Sequence, residues 1–255
     1  MLEIEGITQF IKEAPLRWAG SGLLLKREGD YRGAVRKLSW ALWFERRPEY
    51  YAWRGEALEG VGDYMGAVRD YSSAIALGTQ STRKYLRRRA WAHFQGGAFA
   101  GAERDLTRLL EDRPADGDCL HKRGLARERL GKFELAEQDF LSALGTGRKA
   151  MYVHASLAAL YATCPSNEMR DAEKALHHSE KALELNHDRS WVAYSVSAAA
   201  WAEAGDFEKA TQFARLAYDV AGPNDKPTRL ERLRQYMQGK PFRRMTITPL
   251  TDEPH

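Results

Sequence analysis

A phrase of about fourteen residues returns along this chain, and its spacing limits the fold more than any other feature. It reads GDYRGAVRKLSWAL at 29–42, GDYMGAVRDYSSAI at 62–75, GAFAGAERDLTRLL at 97–110, GKFELAEQDFLSAL at 131–144 and GDFEKATQFARLAY at 205–218. A weaker copy, RDAEKALHHSEKAL, occupies 170–183. The alanines at its centre are Ala34, Ala67, Ala102, Ala136, Ala175 and Ala210, separated by 33, 35, 34, 39 and 35 residues. A period near 34 with one insertion of about five residues means stacked units, each too small to bury its apolar face alone.

Each phrase has a local physical reading. The leading glycine closes one helix by adopting a left-handed cap conformation. The aromatic two residues later (Tyr31, Tyr64, Phe99, Phe133 or Phe207) fills the space beside the turn. Apolar residues then recur at helical spacing, as in Ala34, Leu38 and Ala41, which marks a buried stripe. Before each phrase lies another amphipathic run, such as YYAWRGEALEG, KYLRRRAWAHF or CLHKRGLARERL. The unit is therefore helix, turn, helix, and the absence of alternating strand patterns makes the chain all-α.

The pattern resembles the tetratricopeptide repeat (TPR) family, with a repeat of about 34 residues and a Trp/Leu-Gly/Tyr, then Ala/Phe/Pro signature. The matching residues are Trp18 and Gly22, Gly55 and Leu58, Gly124, the Gly-Asp-Tyr/Phe turns, and Pro48 and Pro114 at repeat ends. The resemblance implies a right-handed α-solenoid of about six TPR helix-turn-helix repeats with a C-terminal capping helix. The expected divisions are an N-terminal helical cap at 1–14 and repeats at 15–47, 48–82, 83–116, 117–148, 149–190 and 191–224. A capping helix at 225–240 and a flexible tail at 241–255 follow. In the capping helix, Leu230, Leu233 and Met237 form the expected apolar stripe with arginines elsewhere. The fifth unit lacks the glycine–aromatic turn. Its ATCP loop with Pro165 is similar to a variant of bacterial TPR proteins and reads as a surface insertion.

Chemistry is sparse. No phosphate-cradling glycine loop, HExxH or CxxC is present, and LGTGRK at 144–149 reads as a connector. His177 and His178 are adjacent, so they point to different helix faces and make a poor metal pair. Carboxylates beside arginines read as solvated salt-bridging faces. No enzymatic role and no cofactor are expected. Cys119 and Cys164 are too few for a disulfide framework and read as small hydrophobes in a reducing cytoplasm. No apolar run approaches the roughly 20 residues of a membrane span. A net charge of +4 only mildly favours acidic partners.

The first helix of each repeat lines the concave surface in the TPR architecture, and the resemblance carries that role onto particular positions. They are Ala19, Leu23 and Lys26, then Glu49, Trp53 and Glu56, then Lys84, Arg87, Arg88, Trp91 and Phe94. His121, Lys122 and Leu125 follow, and Val192, Ser195, Val196 and Ala199 make an uncharged far end. The expected partner-binding set is Trp53, Lys84, Arg87, Arg88, Trp91, Phe94, His121 and Lys122. Arginine grips carboxylates with a planar fork, and Trp and Arg are enriched at binding hot spots. Five basic residues in the nine of RKYLRRRAW repel one another, so acids from neighbouring repeats or from a partner are expected to compensate. Lys84 and Arg88 match the basic pair of the clamp with which some TPR proteins hold chaperone C-termini. Ala19, Leu23 and Trp53 stand where that clamp needs lysine and asparagines, so no such clamp is expected. The resulting expectation is a cytoplasmic scaffold or adaptor for a protein or peptide of acidic character. Nucleic-acid binding through the basic-aromatic patch, or self-assembly, is the alternative.

Overall fold

The computed structural model describes residues 2–78, 80–147, 149–187 and 189–244, with side chains from residue 13 onward. The described residues form thirteen α-helices, in two compact units. The first unit, Met1–Glu111, holds α1 (Leu2–Arg27), α2 (Tyr31–Phe44), α3 (Pro48–Val61), α4 (Tyr64–Ala76), α5 (Thr82–Gln95) and most of α6 (Phe99–Asp112). The second, Asp112–His255, holds α7 (Gly117–Arg129), α8 (Phe133–Leu144), α9 (Ala150–Thr163), α10 (Ala172–Glu184), α11 (Trp191–Glu203), α12 (Phe207–Val220) and α13 (Lys226–Met237). Within each unit, successive helix pairs pack on one another. The chain is an all-α solenoid of paired helices closed by a final helix. α1 runs continuously through the stretch expected as a cap and into the first pair, with Pro15 inside it.

The recurring phrase builds the same joint each time. Gly29, Gly62, Gly97, Gly131 and Gly205 all have φ between 74° and 88°, where a side chain would be strained. In three joints the next residue, Asp30, Asp63 or Asp206, accepts a hydrogen bond from the backbone N–H three positions on, capping the second helix. All six central alanines are fully buried. The residue one turn later (Leu38, Tyr71, Leu106, Phe140, Ser179 or Ala214) is buried as well. A small residue on the first helix faces the large one. A Cβ on Gly55 would meet the Tyr71 ring at 3.0 Å, and one on Gly124 would meet the Phe140 ring at 2.5 Å.

An ion pair also recurs at the repeat period. Arg54 grips Asp70 with two nitrogens at 2.8 and 2.7 Å, Arg89 grips Asp105 at 2.8 and 2.7 Å, and Arg123 grips Asp139 at 2.9 and 2.7 Å. All three aspartates are buried. These pairs correct the expectation that carboxylates beside arginines lie on solvated faces: each joins the two helices of one repeat from inside.

α13 corrects a second expectation. Its buried side chains are Arg229, Leu233 and Tyr236, whereas Met237 is 64% exposed. The Arg229 guanidinium lies 3.9 Å over the Trp191 ring, so the buried face includes arginine stems and is rotated from the Leu-Leu-Met stripe. Tyr236 and Leu233 close an apolar cluster with Ala198, Ala202, Ala210 and Ala214.

Candidate partner-binding faces

In the first unit, α1, α3 and α5 are the first helices of their pairs, and charged side chains link all three. The Lys26 ammonium on α1 bonds to the Glu56 carboxylate on α3. Arg88 on α5 approaches Glu56 at 3.5 Å and Glu59 at 3.4 Å. Glu59 also accepts a 2.6 Å hydrogen bond from Tyr71 Oη. Burial raises the Glu59 carboxyl above its usual range, while Tyr71 and Arg88 oppose that shift. Burial, and then the bond to Glu59, keep the Tyr71 phenol protonated.

The basic stretch RKYLRRRAW therefore divides by helix face. Arg89 turns inward onto Asp105, and Arg88 is held by the resident acids Glu56 and Glu59. The expected compensation by a neighbouring repeat holds for Arg88, whereas Arg89 finds its acid within its own repeat. Arg87 is half-buried and makes contacts of its own. Lys84 is exposed, and Trp91 is 38% exposed. The Trp91 ring stacks on Phe94, with centroids 6.3 Å apart and planes 10° from parallel. Phe94 in turn meets Phe99 edge-on. Residues 84, 87, 91 and 94 follow the three-and-four spacing of one helix stripe. Trp53 is half-buried, 5.7 Å from the Tyr50 ring and against the first pair's core.

His121 and Lys122 belong to the second unit. His121 Nε2 lies 2.9 Å from Ser156 Oγ, and that hydroxyl donates to Tyr152 O at 3.0 Å. The proton therefore sits on Nε2, and His121 ties α7 to α9. Burial pushes the imidazole down to about 4, with Lys149 adding to the effect. Lys122 is half-buried and makes contacts of its own. The expected uncharged far end is also revised. Ser195, Val196 and Ala199 are buried, and Ser195 lies beside Arg229, Arg232 and Tyr236 of α13.

Sequence reasoning missed a contact at the C-terminus. The stretch expected to begin a flexible tail is seated, in its described part, against the ends of α7, α9 and α11. Residues 245–255 lie outside the described residues. Among the described residues, no group of three or more His, Cys, Asp or Glu could hold a metal. No described helix is long and apolar enough to cross a membrane.

No family model matches the sequence, and no curated protein matches it. Solved structures do. A tetratricopeptide repeat protein from Parabacteroides merdae ATCC 43184 aligns with a TM-score of 0.69 at 21% identity, over 89% of this chain and 91% of its own. A structure of the APC/C hetero-tetramer Cut9-Hcn1 aligns with a TM-score of 0.64 at 14% identity, over 90% of this chain and 44% of that one. Pseudomonas aeruginosa pilF aligns with a TM-score of 0.60 at 16% identity, over 87% of this chain and 98% of its own. At such identities the likeness speaks to the fold, which is TPR-like.

Proposed function

We propose that the protein is a non-enzymatic scaffold that holds a protein or peptide partner against the α1–α3–α5 face. The observation that carries this reading is the α5 stripe, where the exposed Trp91 ring stacks on Phe94 with Lys84 on the same side. An aromatic platform with a cation beside it suits a segment carrying an acidic residue next to an apolar one. Resident carboxylates already occupy Arg88, so the acidic preference rests on the exposed Lys84. The groove role of these helices follows by analogy from the TPR-like fold and is part of the proposal.

The test is capture of a partner from the native host, its identification by mass spectrometry, and titration of the purified pair. The double variant Lys84→Glu with Trp91→Ala is expected to weaken binding at least about tenfold, since a hot-spot side chain contributes about 2 kcal/mol or more. The melting midpoint should fall by no more than about 4 °C, because both side chains are partly exposed. Unchanged affinity in a folded double variant refutes the assignment of this face. Arg88 is left in place, because it already serves Glu56 and Glu59 within the chain.

A further inference from the structure

Three first helices of the second unit end in a row of acceptors. Near the end of α7 stands Glu128, 6% exposed, and at the end of α11 stands Glu203. Between them α9 closes with the carbonyls of Ala162 and Thr163. Helix C-termini carry unsatisfied carbonyls and partial negative charge, so this edge favours cations. The ATCP loop adds to it. Arg170 folds back onto Cys164 O at 2.9 Å and onto Glu203 at 3.1 Å, which holds Pro165 at the rim.

The chain's own Phe242-Arg243-Arg244 lies on this edge. Arg244 pairs with Glu128 through its guanidinium, and its backbone N–H donates to Thr163 O at 2.9 Å. Arg243 meets Glu203 at 2.6 Å and donates to Ala162 O at 3.1 Å. Phe242 lies 4.1 Å under the Arg232 guanidinium and packs on the α11–α13 cluster. Each of the three residues thus has a different partner. The segment does not fill the site: a cavity of about 250 Å³ remains beside Glu128, Phe133 and Pro165, with Arg129, Arg232 and Arg244 also on its wall. Among the described residues, Glu128 Oε2 has no hydrogen-bond partner.

We infer that the ends of α7, α9 and α11 form a recognition site for an extended, arginine-bearing peptide segment, and that the protein's own Phe-Arg-Arg occupies it as an internal competitor. The surface is distinct from the α5 stripe, and neither proposal depends on the other. A tethered ligand acts at an effective concentration of the order of millimolar. An outside segment with equal contacts therefore binds weakly until the tether lets go. Use of the spare cavity and the free Glu128 oxygen would give a partner its advantage.

The probe is a fluorescein-labelled synthetic peptide of residues Gly239–Arg244, followed by anisotropy on the full chain. Arg243→Glu with Arg244→Glu frees the two carboxylates and the α9 carbonyls of the site while leaving Phe242 in the cluster. This variant is expected to bind the peptide at least about tenfold more tightly than the unaltered chain. Adding Glu128→Gln and Glu203→Gln should abolish that binding, and a probe with both arginines replaced by glutamate should not bind. Failure of the released chain to gain affinity overturns the inference, as does binding that survives loss of both carboxylates. If the released variant does not fold, hydrogen exchange on the unaltered chain decides. Millimolar peptide should speed exchange of the Arg244 amide, and unchanged protection there overturns the inference.

Discussion

Arg89 sits in the most basic stretch of the chain, yet its guanidinium is spent on a buried partner inside its own repeat. Arg54 and Arg123 do the same with Asp70 and Asp139. Removing one member of such a pair leaves a buried charge uncompensated, whereas replacing both with apolar groups is often close to neutral. Arg89→Ala is therefore expected to lower unfolding free energy by about 3–5 kcal/mol. Arg89→Met combined with Asp105→Leu should recover most of that loss. Urea unfolding of the three proteins checks the pair, and a single variant within about 1 kcal/mol of the parent would show the pair to be solvated. The column was visible in the sequence, since Asp70, Asp105 and Asp139 hold the same place in three copies of the phrase. Its burial was not, because a charged residue in an amphipathic pattern defaults to the wet face until a partner is placed opposite it.

Helices and their joints were the most legible level. The glycine–aromatic turn depends on residues two to three apart, so a local pattern specifies it, and the buried alanines recur with it. Two elements escaped that logic. α13 buries arginine stems that a polarity pattern assigns to solvent. The seating of Arg243 and Arg244 relies on partners 81 and 116 positions away, beyond any periodic signal. The site residues fall between these cases. The TPR resemblance placed Lys26, Glu56 and Arg88 on one face, and they do meet, but as partners of one another. Joint packing also makes one substitution act in opposite directions. Gly124→Ala brings a Cβ to 2.5 Å from the buried Phe140 ring, so overpacking of about 1–3 kcal/mol outweighs the gain in helix propensity. Gly20→Ala, in α1 with nothing within 4 Å of the added carbon, should stabilise by up to about 1 kcal/mol. Thermal melts of the two variants should therefore move apart in sign, and a shared sign would mean that the small-against-large joint is not tight.

Across the molecule, burial lowers histidines in both units, and the first unit sets a raised carboxyl against that effect. His121, His154 and His178 lie in the second unit, and burial lowers all three below the usual imidazole value; His121 and His178 come down to about 4. His154 and His178 share a 2.9 Å contact between their Nδ1 atoms, and each opposes a second proton on the other. In the first unit His93 is lowered, again by burial, but Glu59 is raised, which has the opposite effect on acid stability. An unfolded histidine takes its proton near pH 6.5, whereas folded His121 and His178 wait until about pH 4. Between those values the unfolded chain binds more protons, so acid favours unfolding. Stability from this source is full above about pH 6.5 and is lost progressively as pH falls towards about 4. Urea midpoints should thus hold steady near pH 7.5 and drop by about pH 5, with amides of α7, α9 and α10 losing exchange protection first. His121→Gln with His178→Gln removes two of the titrating groups and should flatten the decline in that window. A decline of unchanged steepness in the double variant would assign acid sensitivity to other groups, and early loss of protection in α3 or α5 would place it in the first unit.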